Sequence, residues 1–461
     1  MCGIRNAIGL GLALLAAAAC GDDPAGPEES REYLAAELFA GPANALSAEV
    51  VVRAVGWDSV ALRYWTDGES ARTTPSRRFG SDSAAAVPLL GLLPESRYEV
   101  EVRLLGPGAT PVDTLEFESG ALPAWVPSAV PVGDDTTAGL LILSIPEGPV
   151  IVDNLGRVVW YREDSDPVLV NFQAHPSGEY TIFGSEDATR FYRVLDDLGR
   201  EVRAVACVGY VTRFHEVRLL ADSSALLLCD DTRPADLSPW GGSPAGSVTW
   251  TVIQLVRPDG SVDWEWHSAD HFEIGDMPLE DLSGVTSLNL THGNALEVDA
   301  DGNLLASFRE LHEITKIDVG TGEVVWRWGG RRNGLTFLDD PKGSFERQHG
   351  LRLAEPGVVQ FLDNSSTPPS RLVRYRIDET ALTARLLWAY VDGPTVHTLV
   401  GGSTQVLEDG GGLVSFGRAG RVVEVGPEGG RRWELTGIEG AYVFRAERIP
   451  SLYAAERTTA P

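Results

Sequence analysis

Between residues 48 and 122 the chain runs through short stretches of alternating apolar and polar side chains, broken by turn residues: "EVVVRAV", "SVALRYW", "RYEVEVRLL" and "DTLEFES". A period of two predicts strands with one face buried. From residue 126 a longer phrase recurs: an apolar run, a turn containing Gly, then a second apolar run that often ends at Trp. It reads "VIVDNLGRVVWY", "RVLDDLGREVRAV", "QLVRPDGSVDWEW", "TKIDVGTGEVVWRWGG", "VRYRIDETALTARLLWAY" and "VEVGPEGGRRWELTG". Each phrase predicts a β-hairpin. The aromatic residues closing the return strands (Trp160, Trp264, Trp326, Trp388 and Trp433) predict core positions between sheets.

A second set of hairpins precedes some of these: "HEVRLLADSSALLLCDD", "HGNALEVDADGNLLASFRE" and "HGLRLAEPGVVQFLDN". Paired hairpins make units of four strands, and six units in a circle leave no long exposed sheet edge. The predicted fold is therefore all-β: a six-bladed β-propeller over 123–461, preceded by a small β-sandwich over 47–122. An open β-solenoid is the rival, but repeats of roughly 45 to 60 residues suit four-stranded blades better.

The inner hairpins also carry the candidate chemistry. Aligned by their turns, the three begin at His215, His292 and His349. Equivalent positions on successive blades are related by rotation, so their side chains are expected to converge at the channel mouth. Arg309 ends the strand that returns beside His292. In the fifth unit the histidine slot falls near Ser403, with Arg418 returning in the place of Arg309; the sixth offers Tyr442 and Arg445. In the first the slot falls near Val170 or Asn171, with His175 off register.

Charge sharpens this picture. A net charge of -28 excludes nucleic acid and anionic membrane surfaces as partners. A cluster of groups able to hold positive charge in so acidic a chain makes a local well for an anion. Arg309 keeps its proton and offers a fork of donors suited to a tetrahedral oxyanion such as sulfate or phosphate. A neutral imidazole is a competent nucleophile toward a sulfuryl or phosphoryl centre. The residues alone thus reach oxyanion binding and group transfer through histidine, without separating sulfur from phosphorus. Two rivals are a non-catalytic ligand-binding propeller and a metal-dependent lyase or hydrolase using the three histidines. Arg309 would repel a cation, and no carboxylate recurs in that register, so no metal and no cofactor are expected. His267, His271, His312 and His397 do not repeat and are read as structural.

The first residues, "MCGIRNAIGLGLALLAAAACGDD", place Arg5 ahead of an apolar run that is short for a membrane span. The run ends in small residues and Cys20, which resembles the lipobox of bacterial lipoproteins. Residues 1–19 are read as a signal peptide, Cys20 as the lipidated residue and 20–46 as a polar tether. A cell-envelope location, periplasmic or at the surface, follows, with membrane attachment through the lipid. Cys207 and Cys229 then remain, and in an oxidising compartment they are expected to pair, with two buried thiols as the alternative.

The stretch "LLGLLPESRYEVEVRLL" resembles the fibronectin type III pattern, with Tyr98 as its corner tyrosine. The phrases "FHEVRLL", "THGNALEVDADGNLLASFRE", "ITKIDVGTGEVVWRWGG" and "FERQHGLRL" resemble the bacterial aryl-sulfate sulfotransferases, as does the closing "FRAERIPSLY". The resemblance implies a six-bladed propeller with an N-terminal sandwich, often dimeric through the sandwich. It implies transfer of a sulfuryl group from an aryl sulfate donor to a phenolic acceptor, without a nucleotide donor and through a sulfated histidine. By motif His349 matches the nucleophile. His215, His292 and Arg309 match the residues that hold the sulfuryl oxygens, and Asn294 matches a further donor. Arg418, Tyr442 and Arg445 complete the expected substrate contacts.

Overall fold

The computed structural model describes residues 31–458, apart from 42–43, 107, 109, 134, 163–170, 279–281 and 439. Cys20, the signal segment and Val170 lie outside the described residues. Those residues are almost wholly strand and turn, with a few 3-10 turns and one single-turn α-helix at Ala454–Arg457. None of their helices is long and apolar enough to cross a membrane.

The N-terminal region is a sandwich of two antiparallel sheets. One orders Glu32–Ala40, Ala48–Val55 and Ala84–Leu89; the other orders Arg72–Thr73, Ser59–Trp65, Arg97–Leu105 and Thr110–Glu118, with Arg77–Arg78 beside Ser59–Trp65. Alternation places Val50 and Val52 from the first sheet, and Tyr98, Val100 and Val102 from the second, in one core. Leu93 N–H donates to the Tyr98 hydroxyl at 2.8 Å, anchoring that ring to the backbone upstream of it. The stretch expected as tether through residue 46 already contains a strand. Glu32–Ala40 pairs along its length with Ala48–Val55, because its apolar residues reach the sandwich core.

Beyond the sandwich, six antiparallel sheets of four principal strands follow among the described residues. Their first strands are Arg445–Ile449, Phe172–Ala174, Val211–Leu219, Gly293–Val298, His349–Glu355 and Ser403–Val406. Neighbouring first strands meet one another around a ring: Gly293–Val298 touches Val211–Leu219 and His349–Glu355, and Ser403–Val406 touches His349–Glu355 and Arg445–Ile449. Phe172–Ala174 touches Arg445–Ile449 on one side, and on the other Gln173 and Asn171 close the last junction by donating to the carbonyls of Val217 (2.6 Å) and of Phe214 and His215 (2.8 and 3.0 Å).

Two strand pairings close the ring from opposite ends of the chain. Arg445–Ile449 lies against Leu140–Ile145, and Val130–Val132 lies against Arg431–Thr436. Of the Trp series, Trp160, Trp326 and Trp433 are buried as expected. Trp264 and Trp388 are only half-buried, the latter covered by the Arg374 guanidinium 4.7 Å from its ring centre. Cys207 and Cys229 are joined as a disulfide across 22 residues.

Candidate active site

Each of the three histidines sits where strand pairing breaks step. Register shifts fall between Thr212 and Val217, between Gly293 and Ala295, and between His349 and Arg352. Such bulges re-aim side chains out of the regular alternation. His292 itself is left-handed (φ 49°), and so is Arg347 (φ 55°), two residues before His349. Both conformations are costly for side-chain-bearing residues and persist only where their surroundings enforce them.

The re-aimed rings meet. His215 and His292 approach through their Nε2 atoms at 2.9 Å, and the His349 ring centre lies 5.8 Å from that of His215. The backbone N–H of Arg309 donates to the His292 carbonyl at 3.1 Å, which fixes the arginine beside the cluster. The guanidinium donates to the Leu399 carbonyl at 2.8 Å and forms an ion pair with Glu310. Arg213, paired with Asp230, stands behind His292 and donates to the amide oxygen of Asn289 at 2.7 Å.

Hydrogen-bond bookkeeping decides the tautomers. The Asn364 amide nitrogen donates to the carbonyls of Thr398 (2.8 Å) and Gly401 (3.0 Å), so its oxygen must face His349. His349 Nδ1 therefore carries the proton and donates to Asn364 Oδ1 at 2.8 Å and to the Arg347 carbonyl at 2.9 Å. The lone pair is left on Nε2. His292 Nδ1 faces Glu310 Oε1 at 3.3 Å. Because that carboxylate is ionised, Nδ1 is the donor, His292 Nε2 accepts, and the proton between the two rings belongs to His215 Nε2.

Burial and nearby cations keep all three rings uncharged. Burial, then the Arg309 charge, brings His349 down to about 4. Burial, then Arg213, brings His292 to about 3, and burial with His292 and Arg213 nearby holds His215 well below the ordinary imidazole range. Burial pushes Glu310 upward, but the His292 hydrogen bond and the Arg309 and Arg347 charges outweigh it and hold the carboxyl at about 2.

An aromatic wall flanks the cluster. Phe214 and Phe444 lie 5.6 Å apart between ring centres, Phe444 lies 5.9 Å from His215, and Tyr442 lies 6.2 Å from Phe444. The exposed Arg418 guanidinium lies 5.8 Å from the Tyr442 ring centre, and the Arg418 and Arg309 charges both act on the Tyr442 hydroxyl.

Two expected contacts are placed differently. Arg445, expected to face substrate, donates instead to Asn171 Oδ1 (2.9 Å) and the His215 carbonyl (3.1 Å) and pairs with Glu216 at 3.3 Å. Adjacent strand residues point to opposite sides, so Phe444 takes the place beside His215 and Arg445 turns away from it. Asn294, expected as a donor, commits its amide nitrogen to the Gln348 carbonyl at 2.6 Å, tying together the strands of His292 and His349. Gln348 reinforces that tie by donating to Ser307 Oγ (3.0 Å) and the Glu313 carbonyl (2.9 Å). Asn171 and Ser403, in the empty histidine slots, link neighbouring strands rather than joining the cluster. Glu310, Asn364, Phe214 and Phe444 went unselected, although each lies within or directly beside a quoted motif. Among the described residues no three His, Cys, Asp or Glu side chains are arranged to hold a metal ion.

Residues 166–438 match the family model described as arylsulfotransferase (ASST). The chain belongs to the arylsulfotransferase family. That membership supports aryl sulfotransferase activity in general and small-molecule substrates. No curated protein matches the sequence. Among solved structures, the arylsulfotransferase chain is similar to a protein of unknown function from Bacteroides caccae, at 14% identity and TM-score 0.43, covering 66% of this chain and 97% of that one. It is also similar to virginiamycin B lyase from Staphylococcus aureus, at 9% identity and TM-score 0.35, covering 74% and 92%. A quinonprotein alcohol dehydrogenase-like protein from Bacteroides thetaiotaomicron matches at 10% identity and TM-score 0.35, covering 87% and 94%.

Proposed function

We propose that this protein is an aryl-sulfate sulfotransferase that works through a sulfated His349, on a six-bladed β-propeller carrying a fibronectin-III-like sandwich. The observation that carries the reading is the bare Nε2 lone pair of His349, whose ring is oriented by Asn364 and lies 5.8 Å from that of His215. In the first half-reaction that lone pair attacks sulfur, the N–S bond forms and the S–O bond to the aryl group breaks. The bonding electrons leave on the phenolic oxygen, which departs as phenolate and takes its proton from solvent. Arg309 donates to the sulfuryl oxygens as charge shifts among them. In the second half-reaction an acceptor phenol gives up its proton to solvent, its oxygen attacks sulfur, and the N–S bond breaks to restore His349. Phe214, Phe444 and Tyr442 supply an apolar, π-rich wall suited to the aryl ring.

The proposal extends to place. The small-residue run ending at Cys20 supports lipidation there, and the Cys207–Cys229 disulfide supports an oxidising envelope compartment. Pairing through the sandwich into a homodimer is part of the same proposal.

The test is intact-mass analysis after mixing with an aryl sulfate and no acceptor. One added sulfuryl group, mapped by fragmentation to His349 and lost on adding a phenol, is expected. Turnover without any adduct in rapidly quenched samples, or an adduct elsewhere, overturns the mechanism.

A further inference from the structure

Arg309 does not meet an incoming anion with its charge free. Its guanidinium is ion-paired with Glu310, the next residue, whose carboxylate also receives His292 Nδ1 at 3.3 Å and stands 3.6 Å from the Arg347 guanidinium. These three groups, from three segments of the ring, converge on one carboxylate that is mostly shielded from solvent. The imidazoles beside it are neutral, so Glu310 offsets one of the two guanidinium charges, Arg309 and Arg347, that face it. For a group that must hold an anion, a carboxylate here is a cost unless it selects among anions.

Sulfate monoesters and phosphate monoesters are near-identical in shape but differ in charge. An aryl sulfate carries one negative charge at any neutral pH, whereas a phosphate monoester carries nearly two above a second pKa of about 6. We propose that Glu310 is a specificity-determining residue that restricts the site to monoanionic sulfuryl esters by repelling dianionic phosphate monoesters. This rests on the reading of the site as a sulfotransferase centre. Repulsion acts twice as strongly on the dianion as on the monoanion at the same distance. Discrimination between isosteric ligands by a built-in unfavourable charge is a general device of selective sites.

The test is binding of phenyl phosphate and phenyl sulfate to the full chain, measured by calorimetry at about pH 5 and about pH 8 without acceptor. Glu310 (about 2), His292 (about 3) and His349 (about 4) do not change charge between those values, so the titrating partner is the phosphate ester. Phenyl sulfate, monoanionic at both, controls for the protein. The ratio of phenyl phosphate affinity at about pH 8 to that at about pH 5 is expected to rise roughly tenfold in Glu310→Gln over native protein, with phenyl sulfate little changed and Glu310→Asp like native. An unchanged ratio in Glu310→Gln overturns the proposal. If Glu310→Gln fails to fold, Glu310→Ser serves as the second neutral variant, and an unchanged ratio there overturns the proposal equally. Failure of the functional reading is seen separately, as absence of sulfuryl transfer.

Discussion

The ring of inner strands carries two dense clusters of ionisable groups, and they differ in one respect that matters. Around the histidines, Arg309 and Arg213 each have a carboxylate partner while three uncharged imidazoles stand between them. Away from the histidines, a cavity of about 330 Å³ is lined by Arg218, Arg352, Arg445, Glu297, Glu447 and the buried His175. There Arg352 and Arg445 pair with Glu216, and Arg352 also lies 3.5 Å from Glu297. Arginines and glutamates satisfy one another there, and the result joins strands. At the histidines the ring nitrogens are not all used, and His349 Nε2 keeps a lone pair. A single step along one strand, from His215 to Glu216, passes from one cluster to the other. Density of charge therefore says little about chemistry; unspent donor and acceptor capacity says more.

Substitutions sharpen that contrast. The largest effect is expected for His349→Ala, which removes the nucleophile: sulfuryl transfer should fall by about 10³-fold or more with the melting temperature little changed. Glu216→Ala should do the reverse. It strands Arg352 and Arg445 without their shared carboxylate, and denaturant unfolding should report a loss of about 3–5 kcal/mol. A stable Glu216→Ala protein with abolished chemistry would erase the distinction between the clusters. Arg309→Lys keeps a charge but loses the fork, and kcat should drop by about 10²-fold, more than KM rises.

A further prediction concerns acid. His349, His292 and His175 have folded values near 4, 3 and 3, all below the ordinary 6.5. Above 6.5 both folded and unfolded chains carry them neutral. As pH falls from 6.5 toward 4, the unfolded chain takes up protons that the folded one refuses, so stability is lost by up to about 1.4 kcal/mol per pH unit for each histidine. His175→Gln should flatten the stability–pH slope in this window, read by thermal melts, while leaving turnover per folded molecule unchanged. An unaltered slope would show that His175 is not held neutral.

Much of this was written in the order of residues. Strands declared themselves by alternation and turns by Asp-Gly and related pairs, because both are local. The three histidines declared themselves by recurrence at one slot, and Arg309 by its place across the hairpin from His292. The partners of Arg445 were not legible, because alternation makes the choice between two neighbours a matter of register, and a one-residue difference exchanges Phe444 for Arg445. The bond from Asn294 to the Gln348 carbonyl was not legible because its partner is 54 residues away.

The chain by itself determined the all-β class, the repeating hairpins and which residues share a slot, since these follow from period and composition. Only the tertiary structure decided which of those residues face one another, which nitrogen of His349 is bare, and which carboxylate answers which arginine. Those are outcomes of bulged registers and of partners far apart in sequence, and proton positions follow from where the partners stand.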